Sequence, residues 1–217
     1  MSTFPGSPRL LKSGIVLIDS STSAVQRVVV LQYSPDTLTR TLQVQGAGES
    51  GDRSEALRLK GAPVETIKLE AEIDATDQLE FPDQNRTATQ VGIFPQLAAL
   101  ETLIYPTSTQ LNNSNSLAKA GTLEIAPAET PLALFIWSKT RILPVRVTEL
   151  SVTEEAFDPN LNPIRAKVNL GLRVLSVNDL GFEHKGGNLF MNYLRQKENL
   201  VTLNSGILSA LGINGIP

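Results

Sequence analysis

His184 is the only histidine in the chain, and there is no cysteine. Nucleophilic or metal-assisted chemistry needs companions for such a residue, and no second imidazole or thiolate exists to form a site. Serines and aspartates are plentiful, but no G-x-S-x-G nucleophile elbow occurs. His184 therefore reads as a surface or turn histidine. The lack of cysteine also removes disulfides, thiolate catalysis and cysteine-ligated zinc. That is compatible with the cytosol.

Two other stretches invite chemistry. Gly46, Gly48 and Gly51 in GAGESGD match G-x-G-x-x-G. A dinucleotide site also needs a helix N-terminus directly behind the glycines to meet the pyrophosphate, and SEALRLKGAPVETIKLE reads as loop and strand. Asp74, Asp77, Glu80 and Asp83 offer hard oxygen ligands, but they lack the EF-hand spacing and its terminal glutamate. A solvated edge is the better reading. No catalytic, cofactor or metal residue is assigned. Arg165, Lys167 and Arg173 share one face of an alternating segment. They are either a wet strand face that discourages edge aggregation, or a charged patch lining a channel or meeting an acidic partner.

The chain has 217 residues, is 41% apolar and carries a formal net charge of -3. This composition fits a globular protein that builds its core without staples. The slightly acidic balance argues against nucleic acid as the main partner. No apolar run approaches the roughly 18 residues of a membrane span. The start, MSTFPGSPRLLKSGIVLID, has neither the apolar length nor the cleavage site of a signal peptide.

β-branched clusters predict strands in SGIVLID and VQRVVVLQY, with SPDTL as a turn. Leu38 to Gln45 alternates, with Arg40 breaking the apolar face. GAGESGDRSEA is a loop. In VETIKLEAEIDAT, Ile67, Leu69, Ala71 and Ile73 point one way and the charged residues the other, as in a half-buried strand. One internal helix is predicted, with Ile93, Leu97, Leu100 and Ile104 at helical spacing and Pro95 in the first turn. TSTQLNNSNSLAKAG is expected to be a polar surface loop. GTLEIAP, PLALFIWS and RILPVRVTELSVTEEAFD return to strand.

EEAFDPNLNPIRAKVNLGLRVL, Glu154 to Leu175, completes a long hairpin around DPNLNP. A one-residue slip in the apolar pattern between Val147 and Leu150 predicts a bulge. LFMNYLRQKENLVTL reads as a helix with Leu189, Tyr193 and Leu200 apolar. Small and apolar residues follow. The fold class is mainly β (α+β): a β-barrel or sandwich with one core helix, a long hairpin and a helical C-terminal tail. A protruding hairpin would leave backbone groups open to another strand, and a ring or tube would satisfy them by closure.

VVLQYSPDTLTRTLQ, GDRSEALRLKGAPVETIKLEAEID, GIFPQLAALETLIYP and PVRVTELSVTEEAFDPNLNPIRAKVNLGLRVL occur in this order. Together they resemble the tube-protein domain of contractile injection systems, phage-tail-like particles such as the antifeeding prophage and the Photorhabdus virulence cassettes. The resemblance spans Gly14 to Leu180. It implies a tail-tube-like β domain over 13–180, with a flexible lead-in over 1–12 and a helical extension over 181–217. It further implies a structural, non-enzymatic role without cofactor: a ring of six copies in the inner baseplate, joining a trimeric spike to the inner tube and templating that tube. Partners would be other copies of the chain, the spike or hub, the tube protein and other baseplate proteins, with no nucleic acid and no direct membrane insertion. Assembly would take place in the bacterial cytoplasm, with particles released or anchored. The inner tube subunit is the alternative. A small β-scaffold binding module or hydrolase is a second.

Family positions carry over to Tyr33, Pro35, Leu38, Thr39 and Arg40, to Gly51, Asp52, Arg53 and Leu57, and to the hairpin connection Phe157, Asp158, Pro159, Asn160, Leu161, Asn162 and Pro163. These are expected to be structural or interface residues, with Arg165, Lys167 and Arg173 beside them. Many relatives carry a LysM-like module after this domain. Residues 181–217 are too few for one and are expected to dock on another subunit or baseplate protein.

Overall fold

The structure is a computed structural model and describes residues 11–46, 58–119, 121 and 130–216. Gly48, Gly51, Asp52, Arg53, Leu57, most of GTLEIAP and most of the lead-in lie outside the described residues. The strands are β1 (Gly14–Ile18), β2 (Val25–Val30), β3 (Leu38–Gln43), β4 (Val64–Asp74), β5 (Leu132–Ser138), β6 (Arg141–Phe157) and β7 (Pro163–Val174). They form one sheet, ordered β2-β1-β5-β6-β7-β4-β3, in which every neighbouring pair is antiparallel. The chain is mainly β, as its alternating segments predict.

Alternation fixes the register. Ile67, Leu69, Ala71 and Ile73 of β4 face Leu172, Leu170, Val168 and Ala166 of β7, and all are buried. A slip of one residue would turn this whole apolar set into water. Each fully buried side chain the size of Leu172 or Phe135 contributes about 1.5–3 kcal/mol.

The expected bulge lies in β6, where the register shifts between Val147 and Glu149. Gly171 stands opposite. A Cβ there would come within 2.9 Å of the Glu149 Cβ, so the bulged strand has room only against glycine. A bulge bends its strand. Before it, Arg141–Val145 pair with β5; beyond it, among the described residues, β6 pairs only with β7. The sheet folds over along this bend. Ile15, Val29 and Phe135 of one half share a core with Ile67, Val168 and Leu172 of the other. The far ends meet as well: the Gln32 side chain donates to the Asp74 carbonyl at 2.6 Å and accepts from the Asp74 N–H at 3.0 Å.

Helix α1 (Thr76–Leu79) and helix α2 (Arg86–Val91) lead into α3 (Phe94–Glu101). The predicted core helix is α3 and what directly precedes it: Ile93, Leu97 and Leu100 are buried, and Pro95 sits in the first turn. Ile104 departs from expectation. The helix stops at Glu101, so Ile104 leaves the apolar face and is 48% exposed.

The polar stretch expected to be a loop contains a helix, α4 (Ser108–Lys119), that buries no residue. Its start is held by a reciprocal cap. Thr107 Oγ1 accepts from the Gln110 N–H, and Gln110 Oε1 accepts from the Thr107 N–H. Without an apolar stripe, periodicity alone does not reveal such a helix.

Helix α5 (Val177–Leu180) starts in a Ser176–Asp179 capping box. Helix α6 (Lys185–Val201) buries Phe190 and Tyr193 in the main core, and starts earlier than the apolar pattern because His184 caps it. Gly186 packs against Leu132 at the start of β5, whereas Tyr193 and Lys197 reach β4 and β3. Leu200 was expected on the apolar face but is 63% exposed, because α6 has by then run past the sheet.

Candidate functional site

The hairpin connection is built around Asp158. Its Oδ1 accepts from the N–H groups of Asn160 and Asn162, each at 2.8 Å, and its Oδ2 accepts from the Asn162 side chain at 2.8 Å. The bond from the Asn162 side chain leads the effects that hold the Asp158 carboxyl below its ordinary value, with the two backbone N–H bonds adding to it. Ala156 and Leu161 take positive φ to close the turn.

This connection does not project freely. Asn162 Nδ2 also donates to the Gln90 carbonyl at 3.1 Å, and Ile93 N–H donates to the Pro163 carbonyl at 2.9 Å. Pro163 is buried and Asn162 half-buried, while Phe157, Pro159, Asn160 and Leu161 stay exposed. Nor does the whole arm protrude, as the sequence suggested. β7 lies inside the sheet between β6 and β4, so its backbone is paired on both sides.

What the arm leaves open is one edge of β6. From Arg146 to Phe157 this strand pairs with β7 on one side and, among the described residues, with no strand on the other. β3 is the outermost strand at the opposite margin of the same half. Among the described residues, the β6–β7–β4–β3 half thus carries a free edge on each side.

Its outer face is wet and laced with ion pairs. Arg165 donates to Asp74 at 2.7 Å, Lys167 lies 3.3 Å from Glu155, Lys68 lies 3.3 Å from Glu149, and Arg173 donates to Asp179 of α5 at 2.6 Å. Asp74 keeps a lowered pKa: burial pushes it up, but bonds from Thr76 and Arg165 outweigh that. The Asp74 hydrogen bond in turn raises the Arg165 pKa. Arg165, Lys167 and Arg173 are therefore matched by carboxylates on neighbouring elements and do not form a bare basic patch. A shallow groove of about 350 Å³ runs over this face, lined in part by Thr39, Lys68, Glu149 and Asn169.

Arg40 turns inward. It donates to Glu65 Oε1 and, through Nη2, to the Tyr193 hydroxyl at 2.8 Å. Glu65 has a side chain only 4% exposed and is also approached by Lys197 at 3.3 Å. Sequence reading passed over Glu65. It shares the parity of Ile67 and Leu69, and a carboxylate at a core-facing position was the available signal; it stands opposite Leu42, one diagonal step from Arg40. Of the other early motif residues, Tyr33 is exposed and Pro35 lies in the loop before β3.

The other chemical candidates resolve into local structure. His184 Nδ1 accepts from the Gly186 N–H at 3.0 Å, capping α6. Gly46 bridges to Leu59 ahead of β4, with no helix in the described residues between them and that strand. Asp74 is tied to Arg165, and among the described residues no cluster of His, Cys, Asp and Glu is arranged to hold a metal ion. No described helix is long and apolar enough to cross a membrane.

No family model matches the chain, and no curated protein matches it. Among solved structures it is similar to a chain in the tail of an empty gene transfer agent particle with C6 symmetry. That match has 11% identity and a TM-score of 0.28, and covers 75% of this chain and 90% of the other. It is also similar to a chain in the virion of a native gene transfer agent particle, with 10% identity, a TM-score of 0.26 and the same coverage.

Proposed function

We propose that this chain is a structural component of a contractile injection system, forming a hexameric inner baseplate ring that joins the spike to the inner tube and templates tube assembly. The carrying observation is the pair of strand edges left open among the described residues, β6 from Arg146 to Phe157 and β3, on opposite margins of one half-sheet. Two different edges on one subunit make a heterologous contact, and a heterologous contact that closes makes a ring. Main-chain hydrogen bonds between β3 of one copy and β6 of the next would continue the sheet across copies. The ion-paired outer face then lines the ring. The resemblance of the hairpin and early strand-turn-strand segments to the tube-protein domain supports the same role.

The inner tube subunit would use the same edges. Copy number separates the two: one ring per particle for the adaptor, many stacked rings for the tube. Quantifying this chain against the spike in purified particles tests the proposal, and a large excess over a single ring would transfer the chain to the tube.

A further inference from the structure

Past Lys197, nothing in α6 is buried. Every residue from Glu198 to Ile216 is exposed, including Leu203, Ile207, Leu211 and Ile216. No charged residue occurs from Asn199 onward. Singly exposed apolar residues need no explanation, but a continuous, charge-free stretch of them marks a contact surface.

The course of α6 says where that contact lies. The helix begins against Leu132 of β5, and by Tyr193 and Lys197 it has crossed to Arg40 of β3 and Glu65 of β4. Its last turn and the residues behind it therefore leave the molecule beside β3, the strand with the open edge.

We infer that Asn199–Ile216 is a clasp that lies on the next copy of this chain, the copy whose β6 edge meets β3. The inference rests on the ring reading above. A second copy is favoured because the segment departs at the margin where the ring places one. A lipid surface is disfavoured, because segments that lie in a membrane interface are rich in lysine and arginine on their polar face, and this one has neither. Removing the segment takes no buried side chain from the monomer, so its loss is felt only between copies.

The test uses two differently tagged forms of the full chain, co-expressed, one carrying a photo-crosslinking residue at Leu208. A parallel pair carries the probe at Thr153 on β6. The Leu208 probe is expected to join the two tags, and truncation after Glu198 to weaken ring association about tenfold or more, the effect of 1.4 kcal/mol, at unchanged monomer melting temperature. If Thr153 joins the tags and Leu208 reacts only within its own chain, the clasp is overturned and the ring stands. If neither probe joins them, the ring reading fails and takes the clasp with it. Flotation of the protein with phosphatidylcholine vesicles, lost on the same truncation, would assign the segment to lipid and overturn the inference.

Discussion

Arg40 Nη2 lies 2.6 Å from Glu65 Oε1, across the β3–β4 pair and on the core side of the sheet. The Tyr193 hydroxyl and the Lys197 ammonium complete the cluster, with the ammonium also 4.1 Å from the centre of the Tyr193 ring. Two strands and the last anchored turn of α6 are joined at this one carboxylate. The arginine that interrupts the apolar face of β3 is thus the partner of a buried acid.

Removing either partner is not equivalent. Arg40→Met leaves the Glu65 carboxylate buried with only Lys197 to balance it and is expected to cost about 3 kcal/mol. Lys197→Met is expected to cost less, because Arg40 keeps the shorter bond. Adding Glu65→Leu to Arg40→Met should recover part of the loss, since no charge then remains buried. Urea unfolding of the three variants checks this. Equal costs for the two single variants would contradict it.

The turn around Asp158 should make the protein acid-sensitive. The folded carboxyl has its pKa lowered, first by the Asn162 side chain and then by the N–H groups of Asn162 and Asn160. Its contribution is therefore present above the unfolded value, near 3.9, and is lost as pH falls through the folded value. Asp158→Ala is expected to remove that component and to loosen the link from Asn162 to Gln90. A comparison of melting temperatures at pH 7 and pH 3 tests this. The gap between wild type and variant should narrow at pH 3, and a gap that widens on acidification would refute the assignment.

Gly92 has φ of +59° and sits against the Pro163 carbonyl, where any Cβ would collide. Gly92→Ala is expected to cost at least about 2 kcal/mol, combining backbone strain with loss of the brace between α3 and β7. Hydrogen exchange should show the Ile93 amide opening faster in the variant. Unchanged protection at Ile93 would count against a bracing role.

Of two adjacent residues in an antiparallel strand, one directs its N–H at the partner and the other away. Thr153→Pro and Glu154→Pro therefore separate folding from assembly. One substitution breaks the β6–β7 ladder and lowers stability. The other is expected to leave a folded monomer unable to pair along the open edge. Native mass spectrometry reports both. Assembly at wild-type level by the folded proline variant would remove β6 from the interface.

Much of the sheet was legible in the sequence because β4 and β7 are buried on one face only, so Ile67 to Ile73 and Ala166 to Val174 announce their period. The slip between Val147 and Leu150 announced the bulge for the same reason. α4 was not legible, because it buries nothing and its signal is the Thr107–Gln110 cap. Ile104 misled because helical spacing says nothing of where a helix stops. The hairpin was legible as a pair of strands, but its neighbours were not. Pairing of β7 with β4 joins residues about a hundred positions apart, and no local pattern states that. Arg165, Lys167 and Arg173 stayed open between a wet strand face and a charged patch because their acidic partners sit on other elements.

The most direct test of the ring is cryo-electron microscopy of particles purified from cells that make this chain, with the chain traced. The account predicts a single closed ring of six copies between spike and tube, with β3 of each copy hydrogen-bonded along Arg146–Phe157 of the next. A ring in which that edge of β6 stays in solvent, or particles that do not contain the chain at all, would contradict it.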